Sequence, residues 1–296
     1  MLQTSALVAH AANLDLVIRH VLAGLGHGIH AGRERGAGVE FSEYRAYAPG
    51  DEWRRVDWKL LARADRYYVR EAERDSHVAV WLWLDASASM GEPSYAVQDL
   101  DKLWFARTAL ACVAAIAQRQ GDAFGLVVCS GGKVDVTPPS RGPRQLQRVF
   151  AALARTAATG ELPDAAGLRP AMQLMQMAPA AVFAASDCLD WPSPLAEALQ
   201  RLRAQRHDVR LLALRTQAEV DGSFPSGVAY RDRESGEGLH RLLATDREAY
   251  RANVAGHHAG VAAHCRRHDI ALAQAIIEQP LEATLRHWLR VPGVRG

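Results

Sequence analysis

Asp85-Ala-Ser87-Ala-Ser89-Met90 places one carboxylate and two hydroxyls at a spacing of two. From an extended loop this spacing aims three oxygens at one point, and the small Ala86 and Ala88 let the backbone approach. Hard oxygen donors of this kind suit Mg²⁺, or another dication such as Mn²⁺, that keeps several waters. Further along the chain, Ser186-Asp187 and Asp190 offer more oxygens, as do Thr156 and Thr159 ahead of a helical stretch. With few carboxylates bound directly, a metal here stays electropositive and takes an anionic ligand from outside. Asp and Ser are also ordinary turn and N-cap residues, so the reading depends on where the fold puts them.

Hydrophobic patterning supplies those positions. Residues 78–84 are a continuous apolar run of strand length that ends at Asp85, as in a parallel sheet covered on both faces. The spacing predicts a helix over about 99–120, a buried strand over 123–129, and a Gly131-Gly132 turn into an antiparallel edge strand over 133–137. Helices are expected over about 143–155 and 165–177, a strand over 181–185, a helix over 194–206 and a strand over 209–214. A looser stretch rich in glycine and charge fills 217–238; a long helix (246–267), a strand (270–275) and a short helix (281–289) follow. Strands alternating with helices imply an α/β fold, a three-layer doubly wound sheet, mostly parallel. In such sheets ligands collect at the carboxyl ends of the strands. Asp85 and Asp187 each follow an apolar strand, which brings them side by side.

The first 76 residues read differently from 77–296, and the chain divides there into an N-terminal segment packed on a main domain. Leu7, Ala11, Leu14, Val17, Ile18 and Leu22 recur at helical spacing until Gly24, Gly26 and Gly28 end the helix. Residues 31–76 read as short strands and turns, with Pro49-Gly50 suited to the centre of a type II turn. Asp51, Arg54, Asp57 and Arg63, among Trp53, Trp58, Tyr67 and Tyr68, form a dense charged set. Fork-like arginine pairing makes a structural clamp the favoured reading over a partner surface.

Two resemblances follow from these residues. Asp85-Ala-Ser-Ala-Ser-Met90 resembles the metal-ion-dependent adhesion site (MIDAS) of von Willebrand factor A domains. The segments Gly36-Ala-Gly-Val-Glu40-Phe41, Arg45-Ala-Tyr47-Ala-Pro49-Gly50-Asp51, Arg54, Asp57-Trp58-Lys59 and Ala62-Arg63 resemble the bacterial "domain of unknown function 58" family, as do Tyr230-Arg-Asp232-Arg-Glu234-Ser-Gly236 and the helix of Tyr250. The likeness spans about 32–289. It implies a von Willebrand A-like domain that grips a protein partner, commonly encoded beside MoxR-type AAA+ ATPases. It also implies Asp85, Ser87, Ser89 and Asp187 as metal-site residues, with Thr159 as the threonine and Thr156 in reserve. Two departures stand out: the chain has Thr159-Gly-Glu-Leu162 where the family reads Thr-x-Leu, and Thr216-Gln-Ala-Glu219 where it often reads Asp-Pro-x-Glu.

Composition narrows the function classes. The 296 residues are 49% hydrophobic and 23% charged, with a formal charge of +2, ordinary for a globular chain. Nine Arg and one Lys between Arg33 and Arg74 face nine Asp and Glu, which argues against a nucleic-acid surface. Cys112, Cys129, Cys188 and Cys265 show neither a zinc spacing nor a disulfide framework. No signal peptide is expected, and the apolar run at 103–117 is too short for a membrane span, so a cytoplasmic protein is expected. His257, His258, His264 and His268 read as a solvated helix face.

The rival reading is an enzyme, a haloacid-dehalogenase-like phosphohydrolase in which Asp85 attacks phosphorus while Asp187 and Asp190 hold Mg²⁺. That chemistry generally needs a second acid two residues after the nucleophile, where this chain has Ser87. A serine hydrolase is poorer still, because no Gly-x-Ser-x-Gly elbow occurs at a strand end.

Overall fold

A computed structural model of the chain describes residues 18, 35–46, 68–73, 78–225, 229–231, 233, 238–241 and 246–290. The chain forms two compact units, one of Gly28–His77 and one of Met1–His27 with Val78–Gly296. In the smaller unit, strands β1 (Arg35–Ala46) and β2 (Tyr68–Glu73) pair antiparallel with irregular register between Arg35 and Glu43. Ile18 is helical and buried. The rest of the helix expected over 1–30, the Pro49-Gly50 turn and the Asp51, Arg54, Asp57 and Arg63 set lie outside the described residues.

The larger unit starts with β3 (Ala79–Asp85), whose residues from Val80 onward are all buried. A 3₁₀ turn (Ala88–Gly91) leads toward α1 (Lys102–Gln120). The Asp101 side chain caps that helix by accepting the Trp104 N–H, and Gly121 ends it in the left-handed region at φ 76°. Apolar nearly all round, α1 lies buried between the sheet and its neighbouring helices. Next come β4 (Phe124–Ser130), β5 (Lys133–Ser140), α2 (Pro143–Arg155), α3 (Ala165–Met175) and β6 (Ala180–Ser186). Then follow α4 (Pro194–Ala204), β7 (Asp208–Arg215), the short α5 (Gln217–Asp221), and a hairpin of β8 (Ala229–Arg231) with β9 (Leu239–Arg241). Finally α6 (Arg247–Arg267), β10 (Ala271–Ile276) and α7 (Leu281–Arg290) complete the order.

Six strands form one sheet in the order β10-β7-β6-β3-β4-β5, parallel except for the antiparallel edge strand β5. This is the doubly wound three-layer α/β architecture read from the sequence. Alternate strand residues face opposite layers. Trp81 and Trp83 join Leu168 and Met172 of α3, Leu199 and Leu202 of α4, and Val261 of α6 in one core. On the other face α1 packs against α2 and α7, and Phe183 meets Trp288 of α7 edge-on at 5.2 Å. A buried leucine or phenylalanine in these layers contributes roughly 1.5–3 kcal/mol relative to exposure.

Two stretches differ from the sequence reading. β5 continues past residue 137 through Pro138-Pro139 to Ser140. An edge strand tolerates proline because one side of it needs no ladder partner. The stretch 217–238, read as loose, holds α5 and β8, and α5 carries a capping box between Thr216 and Glu219.

Candidate functional site

Sheet register sets the site. Leu84 pairs with Ala185 and Asp85 with Cys129, so Asp85 ends level with Ser186 on one side and next to Ser130 on the other. Asp187 follows one residue further, and Asp85 and Asp187 are 1% and 2% exposed. Both Asp85 oxygens have fixed donors. Oδ1 accepts the Ser87 N–H at 2.9 Å and Oδ2 accepts the Ser186 hydroxyl at 2.6 Å. Beyond it, the Ser87 and Ser89 hydroxyls share a hydrogen bond of 3.1 Å.

The Thr159 loop is tied down by backbone on two sides. Thr159 N–H donates to Ala86 O at 3.0 Å and Ala88 N–H to Gly160 O at 2.8 Å, which fastens it to the Asp85 loop. Gly131 N–H donates to Thr159 O at 2.7 Å and Gly132 N–H to Glu161 O at 2.9 Å, which fastens it to the turn after β4. Gly160 has φ +59°, and a Cβ there would lie 2.8 Å from Gly131 Cα, so only glycine fits the crossing. Thr159 Oγ1 shares a 2.8 Å hydrogen bond with Ser130 Oγ on the exposed side of the site. Thr156 points elsewhere, its hydroxyl donating to Ala152 O at 2.9 Å at the end of α2. The structure therefore brings Asp85, Ser87, Ser89, Thr159 and Asp187 to one sheet edge, with Asp190 exposed beside them.

Behind the site lies a buried ion pair that the sequence reading did not contain. Lys102 Nζ donates to Asp187 Oδ2 at 2.7 Å and to Glu219 Oε1 at 2.8 Å, and its side chain is fully buried. Glu219 Oε2 accepts the Thr216 N–H at 2.7 Å. Burial pulls the Lys102 ammonium downward, but the two carboxylates outweigh it and raise its pKa above the usual lysine value. Asp85 is pushed up to about 6, first by burial and second by the Asp187 charge, against the hydrogen bonds from Ser186 and Ser87.

The electrostatics and the oxygen spacing both suit a dication. Asp85, Asp187 and Glu219 set three carboxylates against the single Lys102 ammonium, a formal charge of −2 when all are ionised. Arg215 also feels Glu219, but its guanidinium hydrogen-bonds Gln274. An uncompensated buried charge costs several kcal/mol. Two oxygens bound side by side on one Mg²⁺ at ~2.0–2.1 Å lie about 2.9 Å apart, close to the 3.1 Å between Ser87 and Ser89. Among the described residues no three His, Cys, Asp or Glu side chains converge as metal ligands, so a dication here depends on hydroxyl oxygens.

With this geometry established, comparison with known proteins places the chain. The family model described as "Protein of unknown function DUF58" matches residues 43–261. The chain belongs to the DUF58 family. Uncharacterized protein Rv1480 of Mycobacterium tuberculosis (strain ATCC 25618 / H37Rv) is 30% identical over 270 residues, covering 86% of this chain and 80% of that protein. Uncharacterized protein Mb1516 of Mycobacterium bovis matches to the same extent. Among solved structures, the conserved hypothetical protein BatB from Bacteroides thetaiotaomicron is similar at 16% identity and TM-score 0.44, covering 70% of this chain and 93% of that one. The SpRpn10 VWA domain is similar at 11% identity and TM-score 0.42, with the same coverage. Neither likeness bears on what the DUF58 chain binds.

Three contributors to the site escaped the sequence reading. Ser130 ends a buried strand, and only the register shows that its hydroxyl meets Thr159, as it shows that the Ser186 hydroxyl meets Asp85. Lys102 had a signal: it is one of three lysines, in the first turn of an otherwise apolar helix. Glu219 had one too, because Thr216-x-x-Glu219 is a capping-box pattern. The departure from Asp-Pro-x-Glu is conservative in effect, since Thr216 caps α5 as an aspartate does. The helix histidines do not form the solvated face expected, because each packs against the protein. His257 Nε2 hydrogen-bonds Cys188 O at 2.7 Å beside Asp187, His258 is buried, and the half-buried His264 and His268 rings meet at 4.6 Å, tilted by 49°.

Proposed function

We propose that this DUF58 chain is a metal-dependent protein-interaction module, in which Asp85, Ser87, Ser89, Thr159 and Asp187 hold Mg²⁺ or Mn²⁺. The observation that carries this reading is the buried excess of negative charge directly behind two neighbouring hydroxyls, which hydrogen-bond each other at 3.1 Å and could both turn their oxygens to one ion. Ser87 and Ser89 supply neutral oxygens, while Asp85 and Asp187 supply charge from below. Lys102 offsets one carboxylate, so the site stays short of the charge a strongly acidic cage would give. A dication held this way presents an open position to a carboxylate of a partner. By resemblance the partner is a MoxR-type AAA+ ATPase or its client, in the bacterial cytoplasm; among the described residues, no helix is long and apolar enough to cross a membrane.

Phosphohydrolase chemistry has less support on the same atoms. That chemistry generally needs a second acid two residues after the nucleophile, and Ser87 stands there with its N–H bonded to Asp85. Lys102 is committed to Asp187 and Glu219, not to Asp85.

Two measurements test the proposal together. Mn²⁺ binding to the wild-type chain and to Asp85→Ala, followed calorimetrically, should show one site lost on substitution while circular dichroism stays unchanged. Retention of a MoxR-type ATPase on the immobilised chain should then depend on Mg²⁺ and vanish with chelator. Unchanged Mn²⁺ uptake by Asp85→Ala would refute the metal site, and partner retention indifferent to chelator would refute its use.

A further inference from the structure

A cavity of about 440 Å³ opens beside the metal site and shares Ser89 with it. Its apolar wall consists of Leu189, Phe224, Tyr230 and Tyr250. Phe224 is the centre of that wall, with Tyr95, Tyr230 and Tyr250 edge-on at 6.1, 5.6 and 5.4 Å. Leu189 in the lining, and Tyr95, which touches Phe224 from outside it, are two of the five exposed large hydrophobic residues among those described. Clustered exposed apolar surface of this kind marks an interaction site, and tyrosine and arginine are the residues that dominate binding energy at such sites.

The charges along the cavity are already matched. Glu92 is held by Arg233 at 3.0 Å, and Lys102 and Glu219 hold each other. Arg231 and Asp190 remain, one of each sign, without ion-pair partners among the described residues. The charged residues of the cavity's own lining sum to zero, and its aromatic wall gains from covering an apolar side chain. Its volume lies within the range of sites that enclose a small ligand or a short piece of peptide.

We infer that this cavity is the specificity pocket of the interaction site: it receives a large apolar side chain, phenylalanine, tyrosine or leucine, immediately next to the partner's acidic residue. The inference rests on the metal-dependent reading above, because the acidic residue is what anchors the peptide beside Ser89. The carboxylate sets dependence on metal, and the neighbouring side chain in the Phe224 cavity sets which acidic peptides bind. Arg231 and Asp190 at the rim meet the polar groups of the peptide backbone.

The test is a selection of random heptapeptides displayed on phage, bound to the full chain in Mn²⁺ and eluted with chelator. Eluted peptides should be enriched in Asp or Glu directly followed or preceded by Phe, Tyr or Leu. Leu189→Ser and Tyr230→Ser should weaken a selected peptide on the order of tenfold, as expected for losing one buried apolar contact. Met177→Ser, which removes an exposed apolar residue outside the cavity, should leave its affinity as in wild type. Mn²⁺ uptake by the same preparations separates the two ideas. Failure to take up Mn²⁺ sinks the metal reading and the pocket with it. Normal Mn²⁺ uptake overturns the pocket alone if selected acidic peptides lack an apolar neighbour or Leu189→Ser binds like wild type. Normal uptake with no chelator-eluted peptide overturns the partner reading and the pocket together.

Discussion

Lys102 and Glu219, separated by 117 positions in sequence, meet at 2.8 Å inside the protein, where Lys102 also holds Asp187 at 2.7 Å. The ammonium is the counter-charge that Asp187 and Glu219 both contact. Lys102→Met therefore strands these two, and removing one partner of a buried pair costs about 3–5 kcal/mol. Glu219→Gln leaves Lys102 with Asp187 and keeps an oxygen for the Thr216 N–H, so its cost is smaller. Urea unfolding in chelator should rank wild type above Glu219→Gln and both above Lys102→Met, and added Mg²⁺ should recover part of the Lys102→Met loss. A Lys102→Met protein as stable as wild type would show that the carboxylates are not mutually repelling.

Asp85 sits where its charge is unwelcome without a metal. Burial and the Asp187 charge raise its pKa from an ordinary 3.8 to about 6, so ionisation at neutral pH works against the folded metal-free protein. Asn at this position keeps an oxygen for the Ser87 N–H and sheds the charge. Metal-free Asp85→Asn should thus melt at or above the wild-type temperature at neutral pH, while losing the Mg²⁺-induced rise that wild type shows. A substitution that lowers stability as much as it lowers metal binding would instead mark Asp85 as purely structural.

Stability against pH should show two opposed slopes. Asp85 has a raised pKa, so its contribution is present below 3.8 and is lost as pH rises through about 6. His258 is lowered to about 4, chiefly by burial and next by the Arg215 charge, so its contribution is present above 6.5 and is lost as pH falls toward 4. Between pH 4 and 6 the two partly cancel in the metal-free wild type. Asp85→Asn removes one of them, and its melting temperature should climb visibly with pH across that window. Equal slopes for the two proteins would contradict the raised Asp85 pKa.

The parts of this site that could be read from the sequence were those with a local pattern. Asp85, Ser87 and Ser89 announce themselves by spacing, and Asp187 by following an apolar strand, because strand ends in a parallel sheet share one edge. The strands and helices were legible for the same reason, each having a period of its own. What the sequence hid was pairing across distance. No local rule ties Lys102 to Glu219, and α5 is too short for a periodic signal, so Glu219 lay within a stretch read as loose. One-dimensional spacing also does not encode the backbone bonds that hold the Thr159 loop against Ala86 and Ala88, while Thr156 stays at the end of α2.

Gly160 offers a way to move Thr159 without touching any oxygen of the site. An alanine there meets two penalties, a positive φ of +59° and a Cβ 2.8 Å from Gly131 Cα. Gly132 has φ +69° but open space around its missing Cβ, so alanine there meets only the first. The backbone cost of the left-handed region is ~1–2 kcal/mol for an L residue. Gly132→Ala should lose about that much stability and bind Mn²⁺ as wild type does. Gly160→Ala should lose more and bind Mn²⁺ more weakly, because relieving the clash pulls the Thr159 loop from its bonds to Ala86 and Ala88. Matching Mn²⁺ affinities in the two variants would remove Thr159 from the metal's surroundings and leave the site to Asp85, Ser87, Ser89 and Asp187.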